Sequence, residues 1–291
     1  METVPGGPGS RSWRLALGRR PWQTAAGVAL LLGLLAGFIY LLPDGVDWHS
    51  AFRPAALALL AGHSPYSIPG YFNAPWTLIP LLPFAVMPEQ VGRGALALAG
   101  FLCFAYAAVR LGAKPVTLAL FLFSPPVLHS TLNGNLDWLA LLGAVLPHNI
   151  GLLLLATKPQ IGAAVIVLWL FEAWHQGGAR RVVHDFWPLA ALTGLSLAVF
   201  GLWPLRFGRE VDLWWNASLW PASIPFGLAF LAIALTRRRI RPALVASPLL
   251  SPYVLLHSWV GALAAVLDSL PVAAASILGV WILVALHVFG G

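Results

Sequence analysis

A chain of 291 residues that is 59% apolar and only 9% charged, with mean hydropathy +0.81, excludes an ordinary soluble domain, since such domains carry about 25% charged residues. The formal net charge of +7 would suit a nucleic-acid partner, but most of the 17 Lys and Arg residues fall in three clusters: Arg11, Arg14, Arg19 and Arg20; Arg180 and Arg181; and Arg237, Arg238, Arg239 and Arg241. Each cluster abuts an apolar run, so the arginines mark the cytoplasmic ends of membrane segments, and no nucleic acid is expected as a partner.

Residues 1–20 read as a cytoplasmic tail, opening with "METVPGGPGS", a composition that does not bury a core. Residues 21–291 read as a single transmembrane domain, an all-α polytopic bundle of about 9–11 membrane-embedded segments. The run from Pro21 to Pro43 carries no charge, is too long for a signal-peptide core and lacks a small-residue cleavage site, so it is expected to stay as a first transmembrane helix. Further candidate segments follow at 74–88, 94–111, 115–128, 135–147, 149–174, 186–203, 221–236, 242–257 and 271–289. Several are short or broken by proline, and such breaks persist at membrane depth only against protein or a watery cavity.

Positive-inside topology places the N-terminus, Arg180/Arg181 and the 237–241 cluster inside, and the loops 43–73, 204–220 and 258–270 outside. Trp203, Trp214, Trp215 and Trp220 around the second of these loops suit an interfacial belt. The middle allows two readings. If 74–88 spans, Arg110 and Lys114 face outside, against the charge rule. If it is re-entrant, as Pro75, Pro80, Pro83 and Pro88 favour, both bases face inside, 129–135 lies outside, and the chain rises to Lys158 and turns back. The second reading is preferred because it obeys the charge rule and gathers the polar residues on one side.

Among those polar residues, Lys158 in "LLLLATKPQIGAAVIVLWLF" stands out. An ionised lysine at membrane depth costs a few kcal/mol at least, so it faces a cavity or partner, or else snorkels from a short helix end. Asn133-Gly134-Asn135 with Asp137 reads either as a capped turn or as amides and a carboxylate at a cavity rim. Tyr253 and His257, four apart, are expected on one helical face. The remaining histidines show no metal-ligand spacing, and no phosphate-binding loop or nucleophile elbow occurs, so neither a metal nor a cofactor is expected. The single cysteine, Cys103, excludes an intramolecular disulfide. Asp47, just past the first helix, is either a solvated loop acid or, opposite Lys158, a carboxylate able to take a proton from a hydroxyl nucleophile while the cation steadies a departing phosphate.

Five short motifs in order over roughly residues 40–260 carry a resemblance. They are Asp47 with Gly62-His63-Ser64-Pro65-Tyr66; Asn73-Ala74-Pro75; Gly134-Asn135-Leu136-Asp137; Lys158-Pro159-Gln160; and Ser251-Pro252 with His257-Ser258. Together they resemble glycosyltransferase family 87, the polyprenyl-phosphate-mannose-dependent mannosyltransferases with a C-type membrane glycosyltransferase fold. Three of the five are altered; for example, His257-Ser258 stands where Tyr-Asp is common in the family.

The resemblance implies transfer of a sugar, mannose above all, from a polyprenyl-phosphate donor to a glycolipid or glycan acceptor, with inversion, at the extracytoplasmic face of the cell membrane. It implies Asp47 as general base and Lys158, Arg53 and His257 as donor-phosphate ligands. Tyr66, Asn73, Asn135, Asp137, Gln160 and Tyr253 would line the sugar and acceptor side. A polyprenyl-lipid carrier without catalysis and a degenerate glycosyltransferase subunit are the competing readings.

Overall fold

The computed structural model describes residues 21–206 and 216–289, and these are helical and irregular, with no strand among them. The arginine cluster at 11–20, Trp214 and Trp215 lie outside the described residues.

Helix α1 (Pro21–Leu41) leads to a π-helical turn, Trp48–Phe52, that runs into α2 (Arg53–Leu60). A 3-10 helix (Pro75–Leu81) and α3 (Leu82–Ala85) precede α4 (Glu89–Arg110), and α5 (Pro115–Leu122) bends by 48° into α6 (Pro125–Asn133). The bend falls at Ser124-Pro125-Pro126, because a residue before proline is driven out of the helical region. Short α7 (Asp137–Gly143) and α8 (His148–Leu155) precede α9 (Pro159–Phe200), followed by α10 (Ile224–Arg237), α11 (Ile240–Leu249), α12 (Val260–Ala264) and α13 (Leu270–Phe289).

Four of these helices are long and apolar enough to cross a membrane, five if the bent α5–α6 pair is one span. They expose large apolar side chains to the surroundings: Leu30 on α1 and Leu283 on α13 are each 65% exposed. Such a surface would be costly in water and is favourable against lipid. Several apolar helices of this kind suggest a multi-pass membrane protein.

Helix α9 is not one rod. Gly177 and Gly178 leave helical geometry, Gly178 with φ +58°. A straight helix of 42 residues would be about 63 Å long, yet its two ends lie near each other. Tyr66 packs on Phe200, its hydroxyl donates to the Asn73 carbonyl at 3.0 Å, and Asn73 donates to the Thr157 carbonyl just before Pro159 at 3.0 Å. The two arms therefore form a hairpin with Gly177-Gly178 at its tip.

The 75–88 stretch also leaves and returns to one end of the bundle. Its start is tied to Thr157 through Asn73, and Glu89 just after it meets His49 and Arg53, while Gln90 reaches the Ile39 carbonyl near the end of α1. At the opposite end, Arg241 pairs with Asp268 and donates to the Leu111 carbonyl at 2.7 Å, and Asp185 holds Arg181. Acidic loop and arginines thus occupy opposite ends.

One correction concerns the expected 242–257 helix. It stops at Leu249 and the chain runs irregularly through Ser251-Pro252 to a 3-10 turn at Leu256–Trp259. Pro248 and Pro252 remove backbone donors there and break the ladder. Tyr253 and His257 consequently do not share a helical face.

Candidate functional site

The densest polar group in the apolar bundle forms where four chain breaks meet. The loop after α1 brings Asp47, the α6–α7 turn brings Asn135 and Asp137, the α8–α9 break brings Lys158, and the irregular segment after α11 brings His257 and Ser258.

Each break has a local cause. Gly134 ends α6 in the left-handed region, φ +70°, and a Cβ there would stand 2.6 Å from that of Trp48. Glycine is therefore required both for the turn and for the close passage of the Asp47 loop. At Lys158, φ −139° and ψ 85° interrupt the helix ahead of Pro159, and the Lys158 carbonyl accepts from the Ile161 and Gly162 amides to start α9.

Asp137 is the centre. It is fully buried, and its carboxylate receives Ser130 Oγ at 3.1 Å, Ser258 Oγ at 3.1 Å, His257 Nδ1 at 2.8 Å and Lys158 Nζ at 3.4 Å. A buried carboxylate is tolerable only with such pairing, because its desolvation costs several kcal/mol. Asp137, expected on the sugar or acceptor side, thus has both carboxylate oxygens engaged by these four donors.

Asn135 links this core to Asp47. Its Oδ1 accepts from the Leu136 amide at 2.6 Å, which fixes the orientation of the side-chain amide. The Nδ2 group then donates to Asp47 Oδ2 at 2.5 Å and to His257 Nε2 at 3.2 Å. His257 Nδ1 thus faces the Asp137 carboxylate and its Nε2 faces the Asn135 amide. His129 stacks on this ring at 5.4 Å and is itself contacted by Asn133. His257, expected among the phosphate ligands, is 1% exposed with both nitrogens engaged inside this group.

The other expected site residues divide clearly. Lys158 and Asn135 join Asp47 in this network. Arg53 instead pairs with Glu89 at 3.4 Å, beside the His49–Glu89 contact. Tyr66 and Asn73 hold the loop to Thr157, next to Lys158, so they position the cation. Tyr66 also stacks on Trp203 at 5.8 Å and packs on Tyr71. Burial, helped by Tyr66, pushes the Tyr71 phenol well above its ordinary value, which keeps it protonated as donor to the Ala74 carbonyl at 2.9 Å. Gln160 has a buried, unpartnered Oε1. Around Tyr253, the Ser251 hydroxyl donates to its carbonyl at 2.8 Å, a turn contact.

Sequence reasoning left Ser130, His129 and Arg93 out of the site and noted Ser258 only beside His257 in the last motif. Arg93 is 3% exposed in α4, donates through Nη2 to the Thr131 and Leu132 carbonyls at the end of α6, and keeps Nε and Nη1 unpartnered. A Cβ at Gly45 would lie 2.5 Å from its Nε, so its guanidinium fills the space between the Asp47 loop and the Asn135 turn. An arginine within an apolar helix was the available signal; the candidate segment 94–111 began one residue after it, whereas α4 starts at Glu89.

Comparison with protein-family models, curated proteins and solved structures returns no match.

Proposed function

We propose that the chain is a multi-pass glycosyltransferase of the cell membrane, with its N-terminus cytoplasmic and its site at the extracytoplasmic face. It would move a sugar, mannose in the first instance, from a polyprenyl-phosphate donor to a hydroxyl of a lipid or glycan acceptor. Carrying this reading is one observation: Asp47 and Lys158 end a single connected chain of contacts through Asn135, His257 and Asp137. A carboxylate and an ammonium from segments far apart in sequence are thereby held at fixed spacing in an apolar bundle, which is costly unless used.

In this reading Asp47, the half-buried member, takes the proton of the acceptor hydroxyl as its oxygen bonds to the anomeric carbon. The bond from that carbon to the phosphate oxygen breaks, and the electron pair leaves with the polyprenyl phosphate. Lys158 steadies the developing charge as a point charge, while Asp137 and His257 keep it aimed. Attack from the face opposite the leaving phosphate inverts the anomeric centre. No cofactor or metal is invoked.

The test uses purified protein in nanodiscs, polyprenyl phosphate mannose and a panel of glycolipid and sugar acceptors, with Asp47→Asn beside the parent. Transfer by the parent and a loss of about 10²–10⁴-fold in the variant, with donor binding kept, supports the assignment. The three altered motifs favour a second reading, a polyprenyl-lipid carrier or degenerate subunit. Donor binding without transfer to any acceptor selects that reading.

A further inference from the structure

The tip of the α9 hairpin carries a second group of charges that the proposed chemistry does not use. Gly177, Arg180, Arg181 and His184 line an open cleft of about 300 Å³. Asp185, 4% exposed, anchors two of these residues: it accepts from Arg181 Nε at 2.7 Å, meets His184 Nδ1 at 2.9 Å, and lies 3.6 Å from His148 Nδ1. His148 in turn stacks on Trp169 at 4.3 Å, so this anchor is held by packing between the α8 and α9 segments. The single carboxylate is thus shared among several basic groups, and the exposed Arg180 has no ion-pair partner among the described residues. The cleft keeps an excess of positive charge with both histidines neutral.

Its depth relative to the bilayer follows from the helix. The first arm runs from Pro159 to the Gly177 break, about 27 Å at 1.5 Å per residue, close to one hydrocarbon thickness. Trp174 and Trp187, one on each arm, are each 60% exposed. Exposed tryptophans settle at the headgroup level, which puts Arg180, Arg181 and His184 beside lipid phosphates. Gly177 lacks the side chain that would press on Arg181, whose Cβ lies 2.9 Å from where a Cβ on Gly177 would be. Glycine at 177 therefore leaves room for the Arg181 side chain that pairs with Asp185.

We propose that this cleft is a binding site for the phosphate of an anionic phospholipid headgroup, at the end of the bundle opposite Asp47. Arg180 and Arg181 hold the phosphate oxygens, while Trp174 and Trp187 pack against the glycerol region. The proposal rests on the membrane placement of the hairpin and is independent of glycosyl transfer.

The experiment measures binding of short-chain phosphatidylglycerol, short-chain phosphatidylcholine and inorganic phosphate to the full-length protein in neutral detergent, by native mass spectrometry and thermal shift. Arg180→Gln, which breaks no ion pair, is compared with Arg237→Gln from another basic cluster at the same end. The expected result is preferential binding of phosphatidylglycerol to the parent. Arg180→Gln weakens it about fivefold, as for loss of one basic residue at an anionic surface, and Arg237→Gln leaves it unchanged. Equal binding of the two lipids, or an equal loss in both variants, overturns the site. Inorganic phosphate binding as tightly as the lipid overturns the lipid assignment. Neither readout requires turnover, so failure here is separable from failure of the transferase reading.

Discussion

Asn135 donates one amide hydrogen to Asp47 at 2.5 Å and the other to His257 at 3.2 Å, across 88 and 122 residues of chain. One short side chain therefore sets the spacing between the half-buried acid and the sealed Asp137–Lys158 pair. Asn135→Ala leaves Asp47 and His257 Nε2 without their shared donor and is expected to cost about 1–3 kcal/mol of stability. Thermal unfolding in detergent measures this. On the proposed transferase reading, transfer should fall further than the stability loss accounts for, because Asp47 is then free to turn away; full activity in Asn135→Ala would remove Asn135 from the site.

The Asp137–Lys158 contact predicts strong coupling. Removing one partner strands a buried charge, so Asp137→Asn and Lys158→Met are each expected to destabilise by about 3–5 kcal/mol. The double variant should recover part of that loss, because neither charge then remains unpaired. A double-mutant cycle on unfolding free energies reads the coupling. Additive losses would show that the 3.4 Å contact carries little energy.

Gly134 offers a geometric test. Its φ of +70° and the 2.6 Å approach of a Cβ to Trp48 predict that Gly134→Ala costs about 1–2 kcal/mol from backbone conformation alone, with more from the displaced tryptophan. Activity should drop with it, since the displaced turn carries Asn135. Near-parent unfolding and turnover in Gly134→Ala would mean that the two loops tolerate separation.

Arg93 is expected to act through position and shape. Arg93→Met removes the donors to the Thr131 and Leu132 carbonyls at the end of α6, and Arg93→Lys restores one point charge without the fork. The lysine variant should therefore recover only part of the lost stability, read as a midpoint between methionine and parent in thermal unfolding. Equal stability of all three would place Arg93 outside the scaffold of the site.

The opposed ends of the bundle also predict a labelling pattern. With Cys103 replaced by Ser, the chain has no other cysteine, so single cysteines at Ser50 and His184 report the two ends independently. Membrane-impermeant maleimide added to intact cells should label the first and spare the second. The reverse pattern would put Asp47 on the cytoplasmic side and exclude an extracytoplasmic donor.

Much of this was readable along the chain, for reasons particular to each residue. Lys158 announced itself because a charge in an apolar run has few innocent explanations, and Pro159 beside it marked the break. Asp47, Asn135 and His257 could be singled out, but not joined: no local pattern says that Asn135 faces both of the others. Ser130 was invisible, since an isolated serine in an apolar segment carries no signal until a carboxylate is found beside it. The burial of Asp137 and its four donors are not legible along the chain, because they come from separate segments. Tyr253 and His257 were placed on one helix face because a spacing of four was read without weighing Pro248 and Pro252.

The sequence by itself determined the helical, lipid-compatible character of the protein, the ends marked by arginine, and the points where glycine and proline interrupt the helices, because these depend on hydropathy, charge and backbone sterics that act locally. Only the tertiary structure decided that α9 folds back at Gly177-Gly178, that the 75–88 stretch returns to its own end, and that Asp47, Asn135, His257, Asp137 and Lys158 form one connected group. Those outcomes depend on contacts between segments tens to hundreds of residues apart, where a buried charge finds its partners only after the chain has closed around it.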